Sequence, residues 1–478
     1  MTGPVLSAEL GWFVIGSFSV VWVALGWFWG RRSTSFDDHI LAGRNVGIAL
    51  GTATAMATWV TSNTTMAAPQ LAYQLGIWGM VGYSLGAVGL IMFAPLAERI
   101  KQLMPGGYTS GDFVRVRFGR ANWMVFLLIS LFYGVGWLVS MGMAGGIVLK
   151  ALAGIDYKYG MSVILLVCVV YTLFGGLYAV IGTDFVQSVL ILVGLVVVGA
   201  VMLTTITPSE IHEQLRTERP QLLNLLMPAS IMFLFNNLLF GLGEVFHANV
   251  WWSRALAFRE GTGFRSFLIA GLLWLPVPVA AGGIALAAPA LGVNVPTLDM
   301  VGPLVVGELM GAAGGMLILI IVFSSLASSL DSLLAATSDL LVEDVYRQLL
   351  RPHASDAELR RATRLIVLGL GVSAIALCWG RLTTLAELIQ FTGAFVASTI
   401  WPIVAGLYWK TTNRSAVGAA FVLGSVAGLI AYFTIGFYTA ALVGAAVSMS
   451  CVCLGTWARP EPFDWKRLSA MRRSGEPA

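Results

Sequence analysis

This chain predicts an all-α integral membrane fold of about thirteen transmembrane helices, on three observations. Hydrophobic residues fill 58% of its 478 positions and charged residues only 11%, against roughly 25% charged in soluble domains. Apolar runs of roughly 20 residues, the length a helix needs to cross about 30 Å of hydrocarbon, follow one another along it. Lys and Arg crowd alternate connections between those runs, as cytoplasmic loops do. A water-soluble chain of this size would leave much of that apolar surface wet, so lipid is the solvent that fits.

The first span, 11–30, is followed and not preceded by its positive pair, Arg31 and Arg32. That order reads as a retained helix with the N-terminus outside, not as a cleaved signal. Spans follow at 47–75, 79–103, 121–151, 160–178 and 184–206. After an outer connection at 207–222 come 223–253, 265–290, 302–346, 361–380, 384–409, 415–436 and 437–457. Thirteen crossings put the C-terminus inside. Of the 28 Lys and Arg, five (Lys150, Lys158, Arg216, Arg219 and Arg381) then lie outside and the other 23 inside. A helix miscounted by one would invert the sides partway and scramble that split.

Outside the spans only 207–222, 347–360 and a basic tail at 458–478 have any length, so no enzymatic domain is attached and the chain is not read as an enzyme. Cys168, Cys378, Cys451 and Cys453 all fall in apolar runs. Cys451 and Cys453 are two apart and point different ways, so core packing is favoured over disulfide or zinc chemistry. The net charge of +4 sits at inner helix ends and implies no nucleic acid. The partners expected are a small solute and the lipid bilayer, with the chain acting as a monomer in a prokaryotic plasma membrane.

Polar residues at membrane depth cost several kcal/mol and therefore point to function. Three clusters stand out. In the second span, Thr58-Trp59-Val60-Thr61-Ser62-Asn63-Thr64-Thr65 interrupts apolar helix and is followed by Pro69. Such a stretch either packs helices together through small side chains or unwinds to offer its carbonyls to an ion beside a cavity. In the ninth span, Ser325, Ser328, Ser329 and Ser332 share one helical face, bordered by Asp331. A stripe of hydroxyls with a carboxylate suits a hard cation such as sodium. In the seventh span, Asn236, Asn237, Glu244, His247 and Asn249 are grouped. Glu244 and His247, three apart, are spaced to pair, either as a proton relay or as a structural bond. No G-x-x-x-x-G-K-[ST] loop occurs, so uphill work would draw on an ion gradient or a partner.

Ser328-Ser329-Leu330-Asp331-Ser332-Leu333-Leu334, continuing to Glu343-Asp344-Val345-Tyr346, resembles a signature of the sodium:solute symporter family. Gly175-Gly176-x-x-Ala179-Val180-x-x-Thr183-Asp184-x-x-Gln187 is similar to a second signature. Gly43-Arg44, Pro69 and Ala72-Tyr73-x-x-Gly76 frame a third. The resemblance implies a LeuT-like fold. Its inverted five-helix repeats would lie at 47–206 and 223–409, after a peripheral helix and inner loop at 1–46 and before two peripheral helices at 410–457. It also implies a secondary active transporter that couples inward sodium movement to uptake of a small polar solute by alternating access.

By the same resemblance, the sodium site falls on carbonyls of Ala57, Val60 and Ser325 and hydroxyls of Ser328 and Ser329. A second site, for a cation or a proton, falls on Asp184, Asp331 and Ser332. Solute contacts are assigned to Thr58, Trp59, Thr61, Ser62, Asn63, Thr64, Asn237, Glu244, His247 and Gln390. Around the seventh and eighth spans, Trp251-Trp252-Ser253-Arg254 and Gly271-Leu272-Leu273-Trp274-Leu275-Pro276 resemble the urea-transporting branch. That branch carries an acidic residue and Gln where Ala248 and Asn249 stand here. Arg254 is assigned to the inner end, leaving no arginine at solute depth, which disfavours a carboxylate. Proline-like amino acids and small carboxylates are the alternative solutes, and a solute sensor without transport is the alternative class.

Overall fold

The computed structural model describes residues 4–31, 35–173, 176–381 and 383–471. Arg32, Gly175, Arg472 and Arg473, used above, lie outside the described residues. The described chain is all-helical. Helix α1 (Ala8–Gly30) and the short α2 (Phe36–Leu41) lead into α3 (Ile48–Trp59) and α4 (Ser62–Leu75). Next come α5 (Ile77–Ser84), α6 (Ala87–Leu103), α7 (Ser110–Phe118), α8 (Arg120–Ala153), α9 (Tyr157–Thr172), α10 (Gly176–Thr205) and α11 (Pro208–Glu218). The next group is α12 (Pro228–His247), α13 (Asn249–Ala257), α14 (Gly263–Trp274), α15 (Pro276–Ala285) and α16 (Val301–Leu340). Helices α17 (Asp356–Cys378), α18 (Leu385–Ala397), α19 (Ile400–Tyr408), α20 (Arg414–Thr434) and α21 (Ala440–Ala458) complete the chain's main elements. Among the described residues, eleven helical segments are long and apolar enough to cross a membrane. Helix α9 is apolar but shorter, and each half of the broken α3–α4 is too short.

Several expected single spans are interrupted. The second breaks between α3 and α4, the seventh between α12 and α13, and the eighth at Leu275 before Pro276, whose missing N–H suits a helix start. Helix α16 bends at Gly311, whose φ of 59° a side chain would oppose. The sixth span begins earlier than expected, at Gly176, so Asp184 stands inside α10 and not at its mouth. Helices α6 and α12 cross through glycines: a Cβ on Gly89 would sit 2.3 Å from the Gly241 carbonyl oxygen. Small residues of this kind let membrane helices approach backbone to backbone.

Outside the spans, α2 carries His39. Desolvation, with the charges of Arg364 and Arg360 behind it, pushes its pKa down to about 4. A histidine held neutral when folded but free to protonate when unfolded loses its contribution as pH falls from about 6.5 towards 4. The melting temperature of the purified protein should therefore drop across that window, and His39→Gln should make the drop smaller.

Candidate cation and solute sites

The break in the second span exposes what a helix end always leaves unbonded, its last carbonyls. Helix α3 stops at Trp59, and Val60 leaves helical geometry at φ −82°, ψ 78°. Helix α4 restarts under a reciprocal cap: Thr61 Oγ1 accepts from the Thr64 N–H at 3.1 Å, and Thr64 Oγ1 accepts from the Thr61 N–H at 3.2 Å. Two of the threonines thus make the break itself, by satisfying the new N-terminus.

Helix α16 meets the freed carbonyls with its serine face. Ser328 Oγ donates to the Ala57 carbonyl at 3.0 Å and Ser329 Oγ to the Thr58 carbonyl at 3.0 Å. The same two hydroxyls reach the Ser325 carbonyl at 3.2 and 3.0 Å. Ala57, Ser325, Ser328 and Ser329 therefore converge, with Val60 at the break beside them. All five are buried. The arrangement gathers neutral oxygens from two helices in one place, the donor set a monovalent hard cation takes.

Next to this cradle lies a buried charge cluster. Asp184 Oδ2 accepts from Thr54 Oγ1 at 2.6 Å and lies 3.5 Å from Arg254 Nη2. The guanidinium also donates to Thr58 Oγ1 at 2.6 Å, Ser332 Oγ at 2.8 Å and Thr54 Oγ1 at 3.2 Å. Asp184 and Ser332 are brought together as expected, while Asp331 accepts from the Ser332 N–H and leaves Oδ2 without a hydrogen-bond partner. Arg254 corrects the sequence expectation. It lies on the half-helix α13, but it is wholly buried and donates to Thr58, which lines one of the cavities along α8.

Three small cavities follow one another along α8. The first, ≈ 10 Å³, is lined by Trp59, Thr61, Thr64, Tyr83, Trp137, Asn237 and Trp274 among others. The second, ≈ 20 Å³, shares Trp59, Thr61 and Trp137 with it and adds Thr58, Tyr133, Glu244, Trp251 and Ser329. The third, ≈ 10 Å³, lies towards the α16 C-terminus and includes Ser130, His247, Asn249 and Thr337. Each holds about one water, less than the volume of a small organic solute.

The first two cavities are walled by tryptophans. Trp59 lies near-parallel to Trp137 at 6.5 Å between ring centroids and edge-on to Trp251 at 5.3 Å. Glu244 does not pair with His247. Its Oε1 accepts from Tyr133 Oη and from Trp251 Nε1, while both His247 nitrogens lack hydrogen-bond partners. His247 ends α12 with its ring 4.7 Å from Phe126, whereas Glu244, a turn earlier, faces α8 and α13.

Of the remaining expected contacts, Thr58, Trp59, Thr61, Thr64, Asn237, Glu244 and His247 line these cavities. Ser62, Asn63 and Gln390 do not appear among the lining residues. Asn63 donates to Ser140 at 2.6 Å, and Gln390 bridges Asn236 and Asn237 at 2.8 and 3.0 Å, tying α18 to α12. Tyr83, Tyr133, Trp137, Trp251 and Trp274 were not assigned from sequence. Trp251 and Trp274 stood within the quoted motifs, but nothing in a single sequence says which face of a span a tryptophan takes.

A family model described as the sodium:solute symporter family matches residues 39–428. The chain belongs to the sodium:solute symporter family. It is a membrane transporter with relatives among urea and proline transporters. It is 26% identical to the urea-proton symporter of rice (Oryza sativa), over 97% of this chain and 73% of the relative. It is 28% identical to the osmoregulated proline transporter of Bacillus subtilis, over 87% of each. Among solved structures, a substrate-bound, outward-open Na+-coupled sialic acid symporter superposes with a TM-score of 0.78 at 18% identity, covering 95% of this chain and 99% of that one. A nucleobase-cation-symport-1 family transporter in a closed conformation gives 0.57 at 14% identity. These likenesses establish a LeuT-like symporter fold.

Proposed function

We propose that this symporter couples inward sodium movement to uptake of a small, planar, neutral solute of the urea or short-amide class. The observation that carries this reading is the set of buried polar atoms left unpaired around the closed cavities. Trp59 Nε1 and Trp137 Nε1 are donors without acceptors, and Glu244 Oε2 is an acceptor without a donor. An unpaired buried polar group costs roughly 1–3 kcal/mol, so a solute that pairs all three recovers that loss. A planar amide offers a carbonyl to the indole N–H groups and its own N–H groups to the carboxylate. A carboxylate solute would meet Glu244, and the cationic Arg254 beside the cavity is already engaged by Thr54, Thr58, Ser332 and Asp184.

Urea and proline transporters both occur among the relatives, so both solutes belong in the test. Thermal shift of the purified protein with urea, acetamide, proline and acetate, each with and without sodium, tests it. A sodium-dependent shift with urea or acetamide is expected, and a shift with proline or acetate alone would contradict the assignment.

Sodium is assigned to Ala57, Val60, Ser325, Ser328 and Ser329, where it would tie the broken α3–α4 to α16 and link its own binding to closure over the solute. The second site, at Asp184, Asp331 and Ser332, is part of the same proposal. Asp331→Asn is expected to change the ion stoichiometry or the pH dependence of uptake, and a variant unchanged in both would contradict it. The thirteen crossings, the outer N-terminus and inner C-terminus, the two inverted repeats and a monomer in a prokaryotic plasma membrane complete the reading. A sensor would bind solute with the same thermal shift yet never accumulate it in vesicles.

A further inference from the structure

The last two long helices leave a groove between them that neither the cation cradle nor the solute cavities use. Helices α20 and α21 touch through small residues: a Cβ on Gly455 would meet the Ala416 Cβ at 2.5 Å. Ala419 and Ala458 flank that contact without filling the space beside it, and Leu454, 64% exposed, walls it. The resulting cavity of ≈ 540 Å³ falls within the roughly 300–1,000 Å³ typical of small-molecule sites, unlike the water-sized cavities along α8. Away from its mouth the walls are apolar apart from Ser450, whose hydroxyl is spent on the Ala446 carbonyl at 3.0 Å. The mouth, where α20 starts and α21 ends, carries Asn413, Arg459 and Glu461. Exposed Trp457 stands in the last turn of α21, and exposed Tyr408 and Trp409 stand at the end of α19. Aromatic side chains collect in this way where a span meets the lipid headgroups.

The charges at the mouth do not cancel. Glu461 is already engaged: Oε1 accepts from Asn413 Nδ2 at 3.0 Å, and Oε2 accepts from the Arg414 N–H at 3.2 Å and lies 3.8 Å from Arg414 Nε. Arg414 therefore balances it. Arg459 is exposed, and among the described residues no carboxylate forms an ion pair with it. Basic pockets between membrane helices take anionic headgroups, and a guanidinium pairs readily with phosphate. We propose that the α20–α21 groove binds an anionic phospholipid of the bilayer, with its phosphate on Arg459 and an acyl chain against Ala419 and Leu454. Binding there requires only that α20 and α21 span the bilayer, whatever ion and solute the chain carries.

The test is native mass spectrometry of the purified full-length chain in detergent, offered phosphatidylglycerol or phosphatidylcholine with the same acyl chains. Phosphatidylglycerol is expected to bind the wild type at least about tenfold more tightly, the difference that one charge-assisted bond makes. Arg459→Ala should cut that preference to within about twofold, while Arg351→Ala, at an exposed arginine of the 347–360 connection, should leave it intact. Ala419→Trp should fill the groove and lose both lipids. Equal affinities for the two lipids in the wild type would overturn the proposal, and so would a preference that survives Arg459→Ala. A preference lost in Arg351→Ala would mean a diffuse basic surface in place of a site. Displacement of phosphatidylglycerol by millimolar glycerol 3-phosphate would make the mouth a site for free anions, and wild-type dimers broken by Ala419→Trp would seat a second copy in the groove. Each of these three results also overturns it. Should Ala419→Trp not fold, the comparison of wild type with Arg459→Ala decides alone.

Discussion

Replacing Ser328 and Ser329 together by alanine is expected to raise the sodium concentration for half-maximal uptake by at least about 100-fold. Both hydroxyls are among the few oxygens that face the freed carbonyls of α3, and each ligand or charge-assisted bond of this kind is worth about 1.5–3 kcal/mol. Two of them amount to roughly 3–6 kcal/mol, and every 1.4 kcal/mol is tenfold in affinity. The loss also leaves the Ala57 and Thr58 carbonyls without partners on α16. A control lies a turn away: Ser324 Oγ is buried with no hydrogen-bond partner, so Ser324→Ala should leave the sodium dependence within about twofold. Solute uptake into proteoliposomes over a sodium titration measures both variants, and equal curves for the double variant and the wild type would remove the cradle from the mechanism.

Glu244→Gln is expected to have the next largest effect, on the solute and not on the ion. The two side chains are nearly the same size, so the Trp59–Trp137–Trp251 walls should stay in place. What changes is the acceptor. Oε1 holds Tyr133 and Trp251, while Oε2 has no hydrogen-bond partner and Glu244 lines the second cavity. An amide nitrogen there would donate where the proposed solute also donates, and like meets like at a cost of about 1.5–3 kcal/mol. The solute KM should rise about 10- to 100-fold, with bound sodium per protein unchanged. A parallel loss of sodium binding would mean that Glu244 acts on the fold and not on the solute.

Much of this was legible in the sequence because lipid makes polar residues conspicuous. The serine face of α16 could be read from spacing alone, and its partners across the interface followed from the family resemblance at Ala57. The break in the second span was legible as a polar interruption, though the threonines prove to cap α4 and not only to line a cavity. Other parts were not legible, for reasons that are physical. A tryptophan in a span looks the same whether it faces lipid or solute, so Trp137 and Trp274 gave no signal. Glu244 and His247 have helix-pair spacing, but α12 ends at His247, and the carboxylate finds better partners on α8 and α13. Arg254 was readable in principle: Asp184 and Asp331 are two acids at depth, a buried acid favours a nearby base, and an arginine directly follows the seventh span. Placing it by topology at the inner end hid that balance, because side-chain reach, not helix position, decides where a guanidinium sits.

By the proposed function, a sodium gradient drives the solute uphill through this chain. Proteoliposomes loaded with potassium buffer and diluted into sodium buffer containing ¹⁴C-urea measure it most directly. Accumulation above the outside concentration is predicted with the inward sodium gradient, falling to simple equilibration when sodium is equal on both sides. Accumulation of the same size with no sodium gradient, or equilibration under both conditions while a sodium-dependent thermal shift with urea persists, would contradict it.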